Sequence, residues 1–143
     1  MDILNCTADD AEDIKRIEDA SFSDAWSKAA ICEEIANRSV CLSAFDHKLS
    51  GYVFLRVIAP EAEILRIAVA PEKRGRGTAD TLMKEILSEA EKRNIETVFL
   101  EVREDNAPAR RLYEKHGFIP YGVRKKYYDG TFDAVLYKKE MRG

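Results

Sequence analysis

Residues 65–80 read Leu-Arg-Ile-Ala-Val-Ala-Pro-Glu-Lys-Arg-Gly-Arg-Gly-Thr-Ala-Asp, and this is the most informative stretch of the chain. A strand ends before Pro71, a loop with two glycines follows, and an amphipathic helix begins. Several backbone N–H groups and the positive end of the helix then face one place, which suits a phosphate or pyrophosphate. The glycines alone fit a plain tight turn equally well.

The spacing of the glycines excludes two common nucleotide-binding motifs. The stretch lacks the Gly-x-x-x-x-Gly-Lys-Ser/Thr sequence of a P-loop, and Gly75-Arg76-Gly77 lacks the third glycine of a Rossmann fingerprint. Arg74 and Arg76 nevertheless add positive charge, and Ala79 keeps the entrance of the helix narrow. An anion bound here would therefore be held by another kind of motif.

The rest of the chain predicts an α/β (α+β) fold with a mixed, mostly antiparallel sheet and flanking helices. The predicted element order is α-α-β-β-β-α-β-α-β-β, in which Glu61 to Val102 forms a central, right-handed parallel strand-helix-strand crossover. Asp129-Gly130 predicts a hairpin between the last two strands. The predicted strands are Val40–Phe45, Gly51–Ile58, Glu61–Val69, Glu96–Val102, Phe118–Arg124 and Thr131–Lys138. No repeat or linker interrupts this pattern, so we expect one domain over residues 1–143.

The composition is that of an ordinary globular protein, with 45% hydrophobic and 34% charged residues among 143. No apolar run approaches the roughly 18 residues of a membrane span, and the N-terminus lacks the pattern of a secretory signal. A net charge of −3 argues against binding to nucleic acid through the global field. Basic clusters such as residues 73–76 fit solvated faces or phosphate sites.

The cysteines indicate neither a disulfide framework nor a zinc site. Cys6, Cys32 and Cys41 are odd in number and lack Cys-x-x-Cys spacing. We therefore expect small buried residues, no metal, no acyl-cysteine intermediate and a cytoplasmic location.

Two motifs together resemble the GNAT superfamily of N-acetyltransferases. Arg74-Gly-Arg-Gly-Thr-Ala79 is similar to its R/Q-x-x-G-x-G/A motif, and it lies between a strand and an amphipathic helix as in that family. The second match is Leu100-Glu-Val-Arg103, followed by Asn106 and by Leu112-Tyr-Glu-Lys-His-Gly-Phe118. The resemblance spans nearly the whole chain and implies acetyl-CoA as acyl donor.

Within the superfamily, the resemblance is to the ribosomal-protein-alanine N-acetyltransferases (RimI) and to related protein N-terminal acetyltransferases. It rests on Phe22-Ser-Asp-Ala-Trp26-Ser27, on residues 100–103 and on Tyr127-Tyr128-Asp129-Gly130. By this resemblance a strand backbone pairs with the pantetheine arm, helix-turn amides hold the pyrophosphate, and an Asn binds the cofactor arm. The implied donor-binding residues are Ile67, Ala68, Val69, Arg74, Gly75, Arg76, Gly77, Thr78, Ala79, Asp80 and Asn106.

Asp80 departs from the family pattern, which often has a basic or small polar residue there. The carboxylate interacts favourably with a helix N-terminus but would repel an anionic cofactor. A non-catalytic acyl-CoA sensor therefore stays an alternative.

The resemblance also assigns two catalytic roles. It implies Glu101 as the general base for the amine and Tyr113 as the acid that protonates the departing thiolate, while the Val69 amide polarises the acetyl carbonyl. From the residues alone, Glu101 could equally form a surface pair with Arg103, and Tyr113 could belong to the core.

The acceptor prediction rests on aromatic residues. Tyr127 and Tyr128 resemble the wall of a peptide groove, and Trp26 could line the same groove, although all three could be structural. The implied partner is a protein N-terminus, specifically the N-terminal alanine of a small-subunit ribosomal protein, without nucleic acid or membrane binding. A lysine side chain or a small amine is the alternative acceptor.

Overall fold

The computed structural model describes residues 1–37, 40–128 and 131–141, apart from the side chains of residues 126–128. Its seven strands form one sheet in the order β1-β2-β3-β4-β5-β7-β6. The strands are β1 (Asp2–Asn5), β2 (Val40–Asp46), β3 (Lys48–Ile58), β4 (Glu61–Val69), β5 (Thr97–Arg103), β6 (Ile119–Tyr128) and β7 (Phe132–Glu140). The helices are α1 (Ala11–Ser21), α2 (Lys28–Ala36), α3 (Thr78–Lys92) and α4 (Ala107–Lys115).

Helices cover both faces of the sheet, and each face has its own core. On one face, the apolar stripe of α3 is fully buried at Leu82, Met83, Ile86 and Ala90 because these positions recur at helical spacing. On the other face, α1 and α2 pack against the sheet through residues such as Ile14. The Ser27 hydroxyl caps α2 by accepting the Ala30 N–H at 3.0 Å.

The sheet is antiparallel except at one seam. Strands β4 and β5 pair in parallel from Glu61↔Thr97 to Glu63↔Phe99, whereas both strands continue beyond this point. The later parts of β4 and β5 separate, and this separation leaves room between them.

Strand β4 also carries a bulge. Ile64 is opposite Leu55 and Arg66 is opposite Phe54, so Leu65 has no partner on β3. A bulge changes which face the following side chains meet. Accordingly, Ile64 belongs to the core beside α3, and Arg66 contacts the aromatic side chains that follow α1.

The predicted fold class and the parallel crossover are confirmed. Strand β1 was not predicted, because its four residues are mostly exposed and do not alternate as a half-buried strand does. Strand β6 extends to Tyr128, four residues beyond the predicted end. The predicted turn at Asp129-Gly130 lies outside the described residues.

The prediction of no disulfide is wrong. Cys6 and Cys41 form a disulfide with their Cα atoms 5.3 Å apart. The pairing joins the end of β1 to β2, where the Cys6 N–H donates to the Cys41 carbonyl at 2.8 Å. Thirty-five positions separate the two residues, so only the pairing of the unpredicted strand brings them together.

The helices of the described segments do not reach the length and apolarity that a membrane crossing requires.

Candidate active site

Two cavities meet where β4 and β5 separate. The first has a volume of about 630 Å³ and lies against the glycine turn, and the second has a volume of about 400 Å³ and lies against β5. The residues that line both are Ser21, Phe22, Ile67, Asn106, Ala109 and Tyr113. A molecule in one cavity can therefore contact a molecule in the other.

The glycine turn forms one end of the first cavity. Gly75 and Gly77 have φ values of 78° and 79°, in the left-handed region that strains other residues. A Cβ at either position would meet no atom within 4 Å, so steric space does not require glycine here. The backbone conformation does. Gly77 precedes the first residue of α3, and Gly77 to Asp80 line the cavity. The free N–H groups of this first helical turn make the wall suitable for an anion.

Cationic side chains surround the same cavity, namely Lys73, Arg74, Arg111 and Lys115. The Arg74 Nε donates to the Val69 carbonyl at 3.1 Å, which ties the loop to the end of β4. Lys73 pairs with Asp46 at 3.3 Å, and this hydrogen bond lowers the pKa of the Asp46 carboxyl. Arg76 is more exposed and lies 3.9 Å from Asp46.

Asp80 is compensated by the end of α4. Its Oδ1 lies 2.8 Å from His116 Nε2 and 3.0 Å from Lys115 Nζ. The hydrogen bond from His116 and then that from Lys115 hold the pKa of the Asp80 carboxyl below its usual range. The carboxylate that seemed to oppose an anionic cofactor is therefore partnered and joins α3 to α4.

The cap of α4, Asn106, and two residues of the helix, Ala109 and Tyr113, line both cavities. The Asn106 side-chain oxygen caps the helix by accepting the Ala109 N–H at 3.2 Å. Tyr113 is 7% exposed, and its ring packs against the rings of Phe118 and Tyr137 at 6.1 and 6.2 Å. Its position at the junction of the cavities is therefore fixed by core packing.

The second cavity has a carboxylate on β5. Glu101 Oε1 accepts a hydrogen bond from Arg124 of β6 at 2.6 Å. On the same side of the sheet, burial raises the pKa of Glu63, and the negative charge of Glu101 raises it further. The alternative reading, in which Glu101 forms a surface pair with Arg103, is not what the structure shows: Arg103 makes a two-point ion pair with Asp105 at 2.6 and 2.9 Å.

Of the three residues predicted to line the acceptor groove, the structure describes the side chain of Trp26 only. The Trp26 ring packs at 5.4 Å against Phe54 and thus belongs to the core beside α1 and α2. The side chains of Tyr127 and Tyr128 lie outside the described residues.

Sequence reasoning missed several residues of the second cavity, of which Phe22 and Arg66 matter most. Phe22 was part of a recognised motif but received no role, and Arg66 was not singled out. The available signal for Arg66 was its charge, since it lies between Leu65 and Ile67 at the otherwise apolar end of a strand.

Comparison with known proteins identifies the family. The pattern of the family described as "Acetyltransferase (GNAT) family" matches residues 7–118. The [ribosomal protein bS18]-alanine N-acetyltransferase of Escherichia coli (strain K12) is 32% identical over 124 residues, which cover 84% of each chain.

Two solved structures are similar over nearly the whole chain. The ribosomal-protein-S18-alanine N-acetyltransferase from Escherichia coli superimposes with a TM-score of 0.91 at 28% identity, covering 98% of this chain and 93% of the other. Ard1 from Thermoplasma volcanium superimposes with a TM-score of 0.89 at 27% identity, covering 99% and 98%. The chain is an N-acetyltransferase that uses acetyl-CoA as acyl donor. It belongs to the acetyltransferase (GNAT) family.

Proposed function

We propose that residues 1–143 act as one catalytic domain that acetylates the α-amine at the N-terminus of a protein. The specific acceptor is the N-terminal alanine of ribosomal protein bS18. The observation that carries this proposal is the meeting of the two cavities at Tyr113, with Glu101 lining the second. The names of the Escherichia coli relative and of its solved counterpart support the acceptor.

The first cavity fits acetyl-CoA. Its four cationic side chains and the first turn of α3 suit the phosphates. The backbone of Ile67 to Val69 pairs with β3 on one edge, and its other edge faces the cavity. The pantetheine arm can therefore bind along this free edge in the way that an additional strand would. Asn106 lies beside this arm, and we assign it to hold the arm while its side-chain oxygen caps α4.

Acetyl-CoA supplies an acetyl group activated as a thioester. Glu101 accepts the proton that the amine loses as the new C–N bond forms, and Tyr113 donates a proton to the sulfur as the C–S bond breaks. The Val69 amide N–H stabilises the charge that develops on the carbonyl oxygen. Arg124, bound to Glu101 at 2.6 Å, orients the carboxylate.

An N-terminal amine is the easier acceptor for one carboxylate base. Its pKa of about 7.7–8.0 lies well below that of lysine at about 10.4, a difference of about 3.5 kcal/mol in deprotonation. The second cavity, at about 400 Å³, has room for the first residues of a polypeptide. Tyr127 and Tyr128 are proposed to continue the acceptor wall beyond it.

The deciding experiment is turnover of acetyl-CoA with a panel of acceptors, read by mass spectrometry. We expect acetylation at the α-amine of a peptide beginning with the bS18 N-terminus, and far less on the same peptide with a blocked α-amine and a free lysine. Tyr113→Phe serves as the control for contaminating activity. Acetylation confined to lysine or small amines would refute the proposed acceptor, and binding of acetyl-CoA without any turnover would favour a sensor.

We also propose a cytoplasmic location, where acetyl-CoA and newly made ribosomal proteins are both present. A reducing compartment opposes the Cys6–Cys41 disulfide. Trapping free thiols by alkylation during cell lysis should therefore find the bond seen in the structure opened to two thiols in the cell, with the enzyme active in that form. A disulfide that persists under these conditions would contradict the proposed location.

A further inference from the structure

We infer that Arg66 is a positioning residue that fixes the wall of the second cavity and thereby restricts the size of the first acceptor residue. The inference rests on the proposed function, because it takes the second cavity as the acceptor site.

The bulge in β4 aims Arg66 at this wall. Because Leu65 has no partner on β3, the side chain of Arg66 reaches the aromatic residues after α1 rather than the core beside α3. The side chain of Arg66 is only 11% exposed, yet the residue lines the second cavity next to Ile67. Arg66 therefore lies between the core and the space for the acceptor.

The guanidinium of Arg66 binds the segment 22–26 at several points. Its carbon lies 4.2 Å from the centre of the Phe22 ring and 5.0 Å from that of Trp26. One terminal nitrogen donates to the Asp24 carbonyl at 2.8 Å and lies 3.4 Å from the Asp24 carboxylate. The guanidinium thus combines contacts to two aromatic rings with a directed hydrogen bond, a combination that lysine does not reproduce.

A buried carboxylate anchors the same assembly. Glu18 is fully buried, and its Oε1 lies 3.4 Å from Arg66 Nε and accepts the Trp26 N–H at 2.9 Å. Its other oxygen accepts the hydroxyl of Tyr52 in β3, and both burial and Glu18 raise the pKa of that phenol. Arg66 thus links a rigid part of the sheet to the segment that forms the wall.

The wall matters because Phe22 lies at the transfer point. Phe22 lines both cavities, as does Tyr113, so its ring borders the space that the first acceptor residue must enter. Loss of the guanidinium contacts frees this ring to move. The cavity would then bind a peptide with a small first residue less tightly. It would also exclude a peptide with a large first residue less effectively.

The test compares wild-type enzyme with Arg66→Lys on two peptides that differ only in beginning with Ala or Leu. We expect the KM for the Ala peptide to rise about tenfold and the preference for Ala over Leu to fall by a similar factor. The KM for acetyl-CoA and the rate at saturating peptide should change much less. The matched control is Arg56→Lys, an ion-paired arginine of β3 that binds Glu34, and it should leave both peptide parameters within about twofold.

Phe22→Leu provides a second variant should Arg66→Lys fold poorly, since it removes the ring that Arg66 holds while keeping the ion pairs of Arg66 with Glu18 and Asp24. It should also reduce the preference for Ala over Leu. If both variants lower only the melting temperature and keep the wild-type KM and preference, Arg66 is merely structural and the inference is wrong. If wild-type enzyme acetylates neither peptide at its α-amine, the proposed function itself fails, and the inference fails with it.

Discussion

The two cavities that meet at Tyr113 differ in charge. The charged residues that line the first are Lys73, Arg74, Asp80, Arg111 and Lys115, and those that line the second are Asp24, Arg66, Glu101, Arg103 and Asp105. The first is therefore strongly positive, whereas the charges of the second nearly cancel once Arg124, which binds Glu101, is counted. A positive potential concentrates an anionic donor at the first cavity only.

The cavities also differ in how their charges are held. Asp80 of the first cavity is bound by His116 and Lys115 at the end of α4, so its carboxylate is already partnered beside the positive charge of Arg111 and Arg74. The carboxylates of the second cavity are each bound to an arginine, as with Glu101 and Arg124. An acceptor amine must therefore compete with a guanidinium for the carboxylate. This competition disfavours amines that make no other contacts in the cavity.

Tyr113→Phe should give the largest effect, because Tyr113 lines both cavities where they join and is the proposed acid. We expect kcat to fall about 10²–10⁴-fold, as loss of a general acid does, with acetyl-CoA affinity nearly unchanged. Single-turnover kinetics and calorimetric binding measure the two quantities. Tyr137→Phe is the matched control, since that hydroxyl accepts from Arg110 and donates to Glu114 away from the cavities. Full turnover by Tyr113→Phe would contradict the assigned acid.

Glu101→Gln should damage only the second cavity. The amide keeps the size of the side chain but cannot accept the amine proton, so we expect kcat/KM for the peptide to fall about 10²-fold or more. Raising the pH should partly restore the rate, because more of the α-amine is then already neutral. A rate unchanged by the substitution at neutral pH would show that Glu101 is not the base.

Gly77→Ala should damage only the first cavity. A non-glycine residue at a φ of 79° costs about 1–2 kcal/mol, and relaxing this strain moves the turn that precedes α3. We expect the KM for acetyl-CoA to rise about tenfold while the KM for the peptide stays constant. Gly122→Ala is the control, because a Cβ there would lie 3.4 Å from Leu136 and meet ordinary contact. An equal rise in the KM for acetyl-CoA and for the peptide would show that the two cavities do not bind different substrates.

Asp80→Asn should give the smallest effect. The partners of Asp80 lower the pKa of its carboxyl, so its stabilisation is present above the unfolded pKa of about 3.9 and is lost as pH falls through the lowered folded pKa. We expect the variant to lose about 0.5 kcal/mol at neutral pH and nothing at strongly acidic pH. Thermal unfolding at both pH values measures this difference. A lower KM for acetyl-CoA in the variant would show that the carboxylate still repels the donor.

The first cavity could be predicted from the sequence because its main wall is continuous. Residues 67–80 pass from strand through a glycine turn to a helix, and each step has a local signal. The helices α3 and α4 likewise follow from periodicity and from caps such as Asn106. Resemblance then supplied the roles that local signals could not.

The second cavity could not be predicted in the same way because it combines three distant segments. Phe22, Arg66 and Glu101 come together only through the bulge in β4 and the separation of β4 from β5. The partners of Asp80 and the Cys6–Cys41 pair depend on equally distant contacts. Hydrophobic patterning specifies which face a residue occupies but not which remote polar group it meets there.

The three-residue seam between β4 and β5 has a mechanical consequence. It connects a four-stranded half, β1 to β4, with a three-stranded half, β5 to β7, through the pairs that end at Glu63 and Phe99. In the proposed mode of binding, a donor lying along Ile67 to Val69 would contact both halves. Bound acetyl-CoA should therefore slow backbone amide exchange along both strand ends and raise the melting temperature as its concentration exceeds the dissociation constant. Binding of the donor would then stabilise the sheet as well as supply the acetyl group.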